Sequence, residues 1–214
     1  FLHRRGSSHG DTRNVRTTYP ESYYTLMMKQ ALALWHEAQE DIGYAVHSKA
    51  PHLDFGPNAN KSLAACMNNC VEQGIEFERL SSQEARGRFS GLSLPDGWSA
   101  VVTQDGGVIH AAKAVAMFQA LALKHGAVLR DRAAVGSIST TSRGAVRVHT
   151  SRGSAMGAKC VIAAGAWTPL LVQRTWQLKL PIAPLHTTLA YWKILDPPDA
   201  NSSVQVLLVM LGSF

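Results

Sequence analysis

What the sequence lacks narrows the reading first. No apolar run reaches eighteen residues, so no helical membrane span is expected within it, and no signal-peptide pattern occurs. Cysteine is scarce: Cys66, Cys70 and Cys160 form an odd set without metal-type spacing, which argues against a disulfide framework and points to a reducing compartment. The formal charge is +6, yet the positive residues are scattered and no dense basic run is present, so neither a nucleic-acid nor a membrane partner is expected. A modest positive surplus suits small anionic ligands equally well. Internal repeats, low-complexity linkers and any Gly-x-Gly-x-x-Gly turn are also missing. What is present is a 46% hydrophobic chain of 214 residues, enough for one large domain or two small ones with a sizeable core.

One stretch stands out against that background. Residues 6–16 hold Gly6, Ser7, Ser8, His9, Gly10, Asp11, Thr12, Arg13 and Arg16 with almost no apolar content. Glycines let the backbone approach a ligand closely, and hydroxyls, free N–H groups and guanidinium forks hold phosphate or carboxylate. Arg13 and Arg16 are three apart and would share a face if the segment were helical. The alternative is a solvated, basic terminal segment.

The rest of the chain reads as a mixture of helices and strands. Tyr19-Pro20-Glu21 opens a helix that Gly43 stops, with Tyr23, Met27, Ala31, Leu34 and Trp35 as its apolar face and Met27-Met28 as packing. Residues 49–57 read as an irregular strand or loop, distorted or at a sheet edge, with His52 and Asp54 intruding among apolar positions. His47 and His52 lack a third partner for a metal. Asn58 or Asn60 caps a helix running to Gln73 and stopped by Gly74, with Leu63, Cys66, Met67, Cys70 and Val71 buried. The two cysteines on it read as small buried hydrophobes rather than a redox pair.

Beyond that helix, residues 75–80 form a strand, Ser81 to Glu84 a capping box, and 98–103 another strand. Asp105-Gly106-Gly107 turns the chain into a helix over 111–125, with Ala114, Val115, Phe118, Leu121 and Ala122 inward; 127–129 completes a βαβ-like unit. Residues 135–140 and 145–150 form a hairpin. The run 160–164 reads as a strand buried on both faces, with Gly165-Ala166-Trp167 at its carboxyl end leaving room for a ligand, followed by a short helix over 168–172. Strands are expected at 185–194 and 204–210.

The pattern Gly-Ser-Ser-His-Gly-Asp-Thr-Arg-x-x-Arg-x-x-Tyr, ending at Tyr19, resembles the flavin loop of the sarcosine oxidase and L-pipecolate oxidase family, FAD-dependent amine oxidases of the D-amino-acid-oxidase-like superfamily. Residues 104–109, 126–130 and 161–167 resemble the same family in the same order, and the likeness runs to about Trp192. Tyr191-Trp192 and the form of the loop are more similar to the animal type, which sits in peroxisomes. The family's opening strand and glycine-rich turn are not in this sequence, nor are its flavin-linked cysteine and active-site lysine, so an interior piece or an incomplete copy is expected.

The resemblance implies an α/β (α+β) architecture: a partial FAD-binding doubly wound domain lacking its first strand, plus part of an antiparallel-sheet substrate domain. It implies flavin loop and helix over 1–44, a substrate-domain segment over 45–100, FAD-binding domain with hairpin over 101–175, and the start of a second substrate segment over 176–214. It assigns His9, Arg13 and Arg16 to the active site: Arg16 on the substrate carboxylate, Arg13 beside the flavin ring stabilising its reduced anionic form, His9 placing ring and substrate. It assigns FAD contacts to Ser7, Ser8, Thr12, Arg13, Val135, Gly165 and Trp167, with the Val135 backbone meeting the adenine. The implied partners are a secondary amino acid such as sarcosine or pipecolate, and dioxygen, with a monomeric complete enzyme. Two alternatives stay open: a related flavin dehydrogenase passing electrons to a protein acceptor, and a fragment that holds no FAD.

Overall fold

The computed structural model describes residues 5–89 and 91–185, which fall into two compact units: 10–121 and, separately, 5–9 with 122–185. The expected strands at 185–194 and 204–210, and Tyr191-Trp192, lie outside the described residues apart from Leu185, which is exposed.

The larger unit is built on two three-stranded antiparallel sheets. In the first, β6 (Gly107–His110) lies between β1 (Thr12–Val15) and β2 (His47–Lys49). Arg13 and Arg16 therefore sit on and just after a strand, not on a helix. Two helices, α1 (Ser22–Ile42) and α4 (Ala111–Lys124), pack with this sheet around Val15, Val46, Ile109, Ala114, Met117 and Leu121. Gly43, at φ 84°, closes α1 as expected. The buried stripe of α1 is rotated from the one periodicity gave: Met28, Leu32, Trp35, Ala38 and Ile42 pack inward, whereas Tyr23, Met27 and Leu34 are more than half exposed. The helix is apolar over a wider arc than one neighbouring layer covers, so spacing alone cannot say which ridge is inward. On α4, fully buried Met117 replaces half-exposed Phe118, which meets Trp35 edge-on at 5.1 Å.

In the second sheet, β5 (Trp98–Thr103) is flanked by β3 (His52–Pro57) and β4 (Phe77–Ser81). β3 is a regular six-residue edge strand, paired from His52↔Thr103 to Pro57↔Trp98, and is not distorted. Leu53, Leu80, Ala85, Leu94, Ala100 and Val102 form its core. The helix α2 (Lys61–Glu72) starts where Asn60 accepts a hydrogen bond from the Leu63 N–H, and α3 (Ser82–Arg88) starts with the Ser81–Glu84 capping box. Val71 is 71% exposed rather than buried; Asn69 takes the inward position instead, for a polar reason given below. Gly107 is required by crowding more than by turn geometry: a Cβ there would lie 2.5 Å from the Ser48 carbonyl oxygen.

The smaller unit carries a third antiparallel sheet in chain order: β7 (Val135–Thr140), β8 (Val146–Thr150) and β9 (Gly153–Gly157). The hairpin is as expected; β9 was not, because Gly153-Ser154-Ala155-Met156-Gly157 has neither β-branching nor a buried side chain. A 3-10 turn over Gly165–Trp167 leads into α5 (Thr168–Trp176), which lies against β7 and runs four residues beyond the expected end. Residues 127–129 and 160–164 are not strands. Val128 is 79% exposed and Val161 is 89% exposed. An apolar run becomes a buried strand only when strands flank it, and no described residue pairs with either segment. All strand pairs among the described residues are antiparallel.

Candidate functional site

In the smaller unit, the N-terminal segment, the start of β7 and the start of α5 line an open cavity of about 550 Å³, a size typical of small-molecule sites. Gly6, Ser7 and Ser8 line one part. Ala134 and Val135 line another, and Ala163, Ala164, Gly165 and Trp167 a third, with Arg5 and Arg174 adding guanidinium groups. Gly6 has φ 71° and a Cβ there would sit 3.1 Å from the Trp167 ring, so the segment can rest against the indole only as glycine. Gly165, at φ 53°, turns the chain from 160–164 into the 3-10 turn, and a Cβ there would meet nothing within 4 Å. Five residues singled out from sequence thus share one cavity: Ser7, Ser8, Val135, Gly165 and Trp167. Arg5 and Arg174 were not singled out; the first precedes the recognisable loop pattern, and the second lies beyond the expected end of its helix.

In the larger unit, Arg16 belongs to a buried polar network centred on Asp54. Its Nη1 lies 3.2 Å from Asp54 Oδ1, with side chains only 17% and 11% exposed, and its guanidinium carbon stands 4.8 Å from the Tyr19 ring centroid. Thr18 Oγ1 donates to Asp54 Oδ2 at 2.5 Å. His52 Nε2 is 3.1 Å from Asp54 Oδ1, an ion-pair distance, although it makes no aligned hydrogen bond. Behind this layer Asn69 Nδ2 donates to the Tyr19 carbonyl at 2.8 Å and to Thr25 Oγ1 at 2.7 Å, and Thr25 Oγ1 donates to the Thr17 carbonyl at 3.0 Å. These bonds tie α1 and α2 to the segment that carries Arg16, which explains the inward Asn69.

Burial by itself would raise the Asp54 carboxyl. The close approach of the His52 ring, the Thr18 hydroxyl and the Arg16 guanidinium outweigh it and hold the group below the ordinary aspartate value. Cys66 nearby is pushed up to about 12, first by burial and then by the Asp54 charge, so it is an inert thiol, as its place on α2 implied. His47 is lowered by burial and by the charges of His36 and Lys49. Among the described residues no group of three His, Cys, Asp or Glu side chains is arranged to hold a metal ion, and no helix is long and apolar enough to cross a membrane.

The other residues singled out sit as follows. Thr12 and Arg13 are in β1 opposite His110 and Ile109, and Arg13 Nη1 donates to the Thr12 carbonyl at 2.6 Å. His9 is half-buried at the end of the N-terminal segment. None of Thr12, Arg13, Arg16 or His9 lines the cavity of the smaller unit. Sequence reasoning noted Asp54 and His52 only as intruders; a carboxylate in an apolar strand is itself the signal that a buried cation must face it.

Comparison with known proteins gives the class to which the chain belongs, an oxidoreductase family that uses FAD. The family model described as FAD dependent oxidoreductase (DAO) matches residues 2–208. A probable sarcosine oxidase of Arabidopsis thaliana is 42% identical over 95% of this chain and 50% of its own length. The peroxisomal sarcosine oxidase of Homo sapiens is 33% identical over 91% and 49%. Among solved structures, NikD, an unusual amino acid oxidase essential for nikkomycin biosynthesis, superposes with TM-score 0.72 at 24% identity over 81% of this chain and 45% of that one.

The chain belongs to the FAD dependent oxidoreductase (DAO) family, and its curated relatives include sarcosine oxidases of plants, animals and bacteria. It spans about half the length of those relatives.

Proposed function

We propose that this chain is part of an FAD-dependent oxidase of secondary amino acids, with sarcosine or L-pipecolate as substrate. The observation that carries the reading is the cavity of the smaller unit. Ser7, Ser8, Arg5 and Arg174 offer the hydroxyl and guanidinium donors that phosphates require, and Trp167, Val135 and Ala134 offer apolar surface for a flat ring. That donor set fits a dinucleotide cofactor, with the Val135 backbone toward the adenine. FAD, when bound, supplies the acceptor for the two electrons removed from the substrate.

The protein's own residues bind and orient. Arg16 holds the substrate carboxylate, Arg13 and Thr12 act on the flavin side, Arg13 supplying the positive potential, and His9 positions the substrate. The secondary amine is oxidised at the carbon next to nitrogen to an imine, which water then hydrolyses, while dioxygen takes up two electrons and two protons to give hydrogen peroxide. Residues 45–100, which supply nearly all of the β3–β5–β4 sheet, act as a substrate-domain segment, beside FAD-binding segments over 1–44 and 101–175 and a further substrate segment from 176. The enzyme works as a monomer in the peroxisome, a location supported by the likeness to the peroxisomal sarcosine oxidase of Homo sapiens.

The test is spectroscopic. Purified protein is expected to show flavin absorption that bleaches anaerobically with sarcosine or L-pipecolate and to release hydrogen peroxide in air. Colourless protein, or a flavin that bleaches but yields no peroxide, contradicts the oxidase; the latter outcome favours a dehydrogenase.

A further inference from the structure

We propose that Asp54 sets the charge class of ligand that Arg16 accepts, admitting monocarboxylic amino acids and disfavouring dicarboxylic ones. The inference rests on the reading of Arg16 as the carboxylate-holding residue and adds a specificity residue to it. A guanidinium has five N–H donors in a planar fork. Asp54 Oδ1 engages Nη1 at 3.2 Å, and Tyr19 stands against the face at 4.8 Å. Donors remain for a second carboxylate, in a plane that these two contacts fix.

Asp54 is itself anchored, by Thr18 at 2.5 Å and by His52 at 3.1 Å, so it does not swing away when a ligand arrives. The Arg16–Asp54 pair carries no net charge. A zwitterionic amino acid gains a charge-assisted hydrogen bond there, and its ammonium is compatible with the neighbouring carboxylate. A second ligand carboxylate would meet Asp54, whose side chain is only 11% exposed, and like charges a few ångströms apart repel more strongly there than in open water. Asp54 thus plays two parts: it positions Arg16, and it rejects surplus negative charge.

The experiment measures dissociation constants of acetate and malonate by titration calorimetry on the flavin-loaded enzyme. Asp54→Asn keeps an acceptor for Arg16 and removes the charge. It is expected to tighten malonate on the order of tenfold, acetate by less, and so to shift the malonate-to-acetate ratio. Asp54→Glu is expected to retain the original ratio. If Asp54→Asn does not fold, Asp54→Ser carries the same expectation for the ratio. An unchanged ratio, or an equal weakening of both ligands, overturns the inference. Arg16→Gln separates this from the underlying reading: weakened acetate with an unchanged ratio in Asp54→Asn sinks the Asp54 role alone, whereas unchanged acetate in Arg16→Gln sinks the Arg16 reading and the Asp54 role with it.

Discussion

Replacing Asp54 with alanine is the perturbation whose consequence can be worked most fully. The carboxylate lies 3.2 Å from Arg16, 3.1 Å from His52 and 2.5 Å from Thr18, in a side chain 11% exposed. Removing it leaves the Arg16 cation, 17% exposed, with only the Tyr19 face, and leaves the Thr18 hydroxyl without its acceptor. Breaking a buried pair by deleting one member costs about 3–5 kcal/mol because the other charge is stranded. The lower end applies here, about 3 kcal/mol, since Arg16 keeps some contact with solvent and an aromatic neighbour.

The pH dependence follows from the same group. The folded-state carboxyl titrates below its unfolded value. Its stabilisation is therefore fully present above the ordinary aspartate pKa of about 4 and is lost as pH falls through the lower folded value. Urea unfolding of the parent and Asp54→Ala proteins at neutral pH, and again across the acid range, reads both effects. The variant should lose about 3 kcal/mol at pH 7 and show a shallower acid decline. A loss under about 1 kcal/mol, the scale of a surface pair, or an unaltered acid slope, would refute the account of this network.

Other outcomes test the scaffold. Gly107→Ala drives a Cβ to 2.5 Å from the Ser48 carbonyl oxygen and 2.3 Å from the His47 ring, so β2 must leave β6; the cost should reach about 3 kcal/mol in chemical unfolding. Met117→Ala empties a fully buried position between α4 and the first sheet and should cost about 2–5 kcal/mol, whereas Phe118→Ala, half-exposed, should cost less. Ser81→Ala removes one half of the capping box of α3 and should cost about 1 kcal/mol, with thermal melting as the measurement.

Local signals carried much of the fold. The caps at Asn60 and Ser81, the glycine stop at Gly43 and the alternation of 135–140 are decided within a few residues, and each appears at its expected place. Features decided by a distant partner were less legible. The run 160–164 has the composition of a central strand, but strand formation depends on flanking chain, and no described residue supplies it. The inward ridge of α1 depends on which layer covers it, and β9 exists because β8 offers an edge rather than through its own propensity. Ser7, Ser8, Val135, Gly165 and Trp167, which the resemblance names, line one cavity because the turn into α5 and the start of β7 lie beside the N-terminal segment. Asp54 was visible only as an anomaly, since its meaning requires knowing that Arg16, 38 residues away in sequence, faces it.

The central claim is that Arg16 receives the carboxylate of an amino acid offered to a bound flavin. Its most direct test is steady-state kinetics of the flavin-loaded Arg16→Ala enzyme with sarcosine. The account predicts a KM raised by about 100-fold, the order expected when a charge-assisted contact of about 3 kcal/mol is lost. An unchanged KM with unchanged turnover would contradict it.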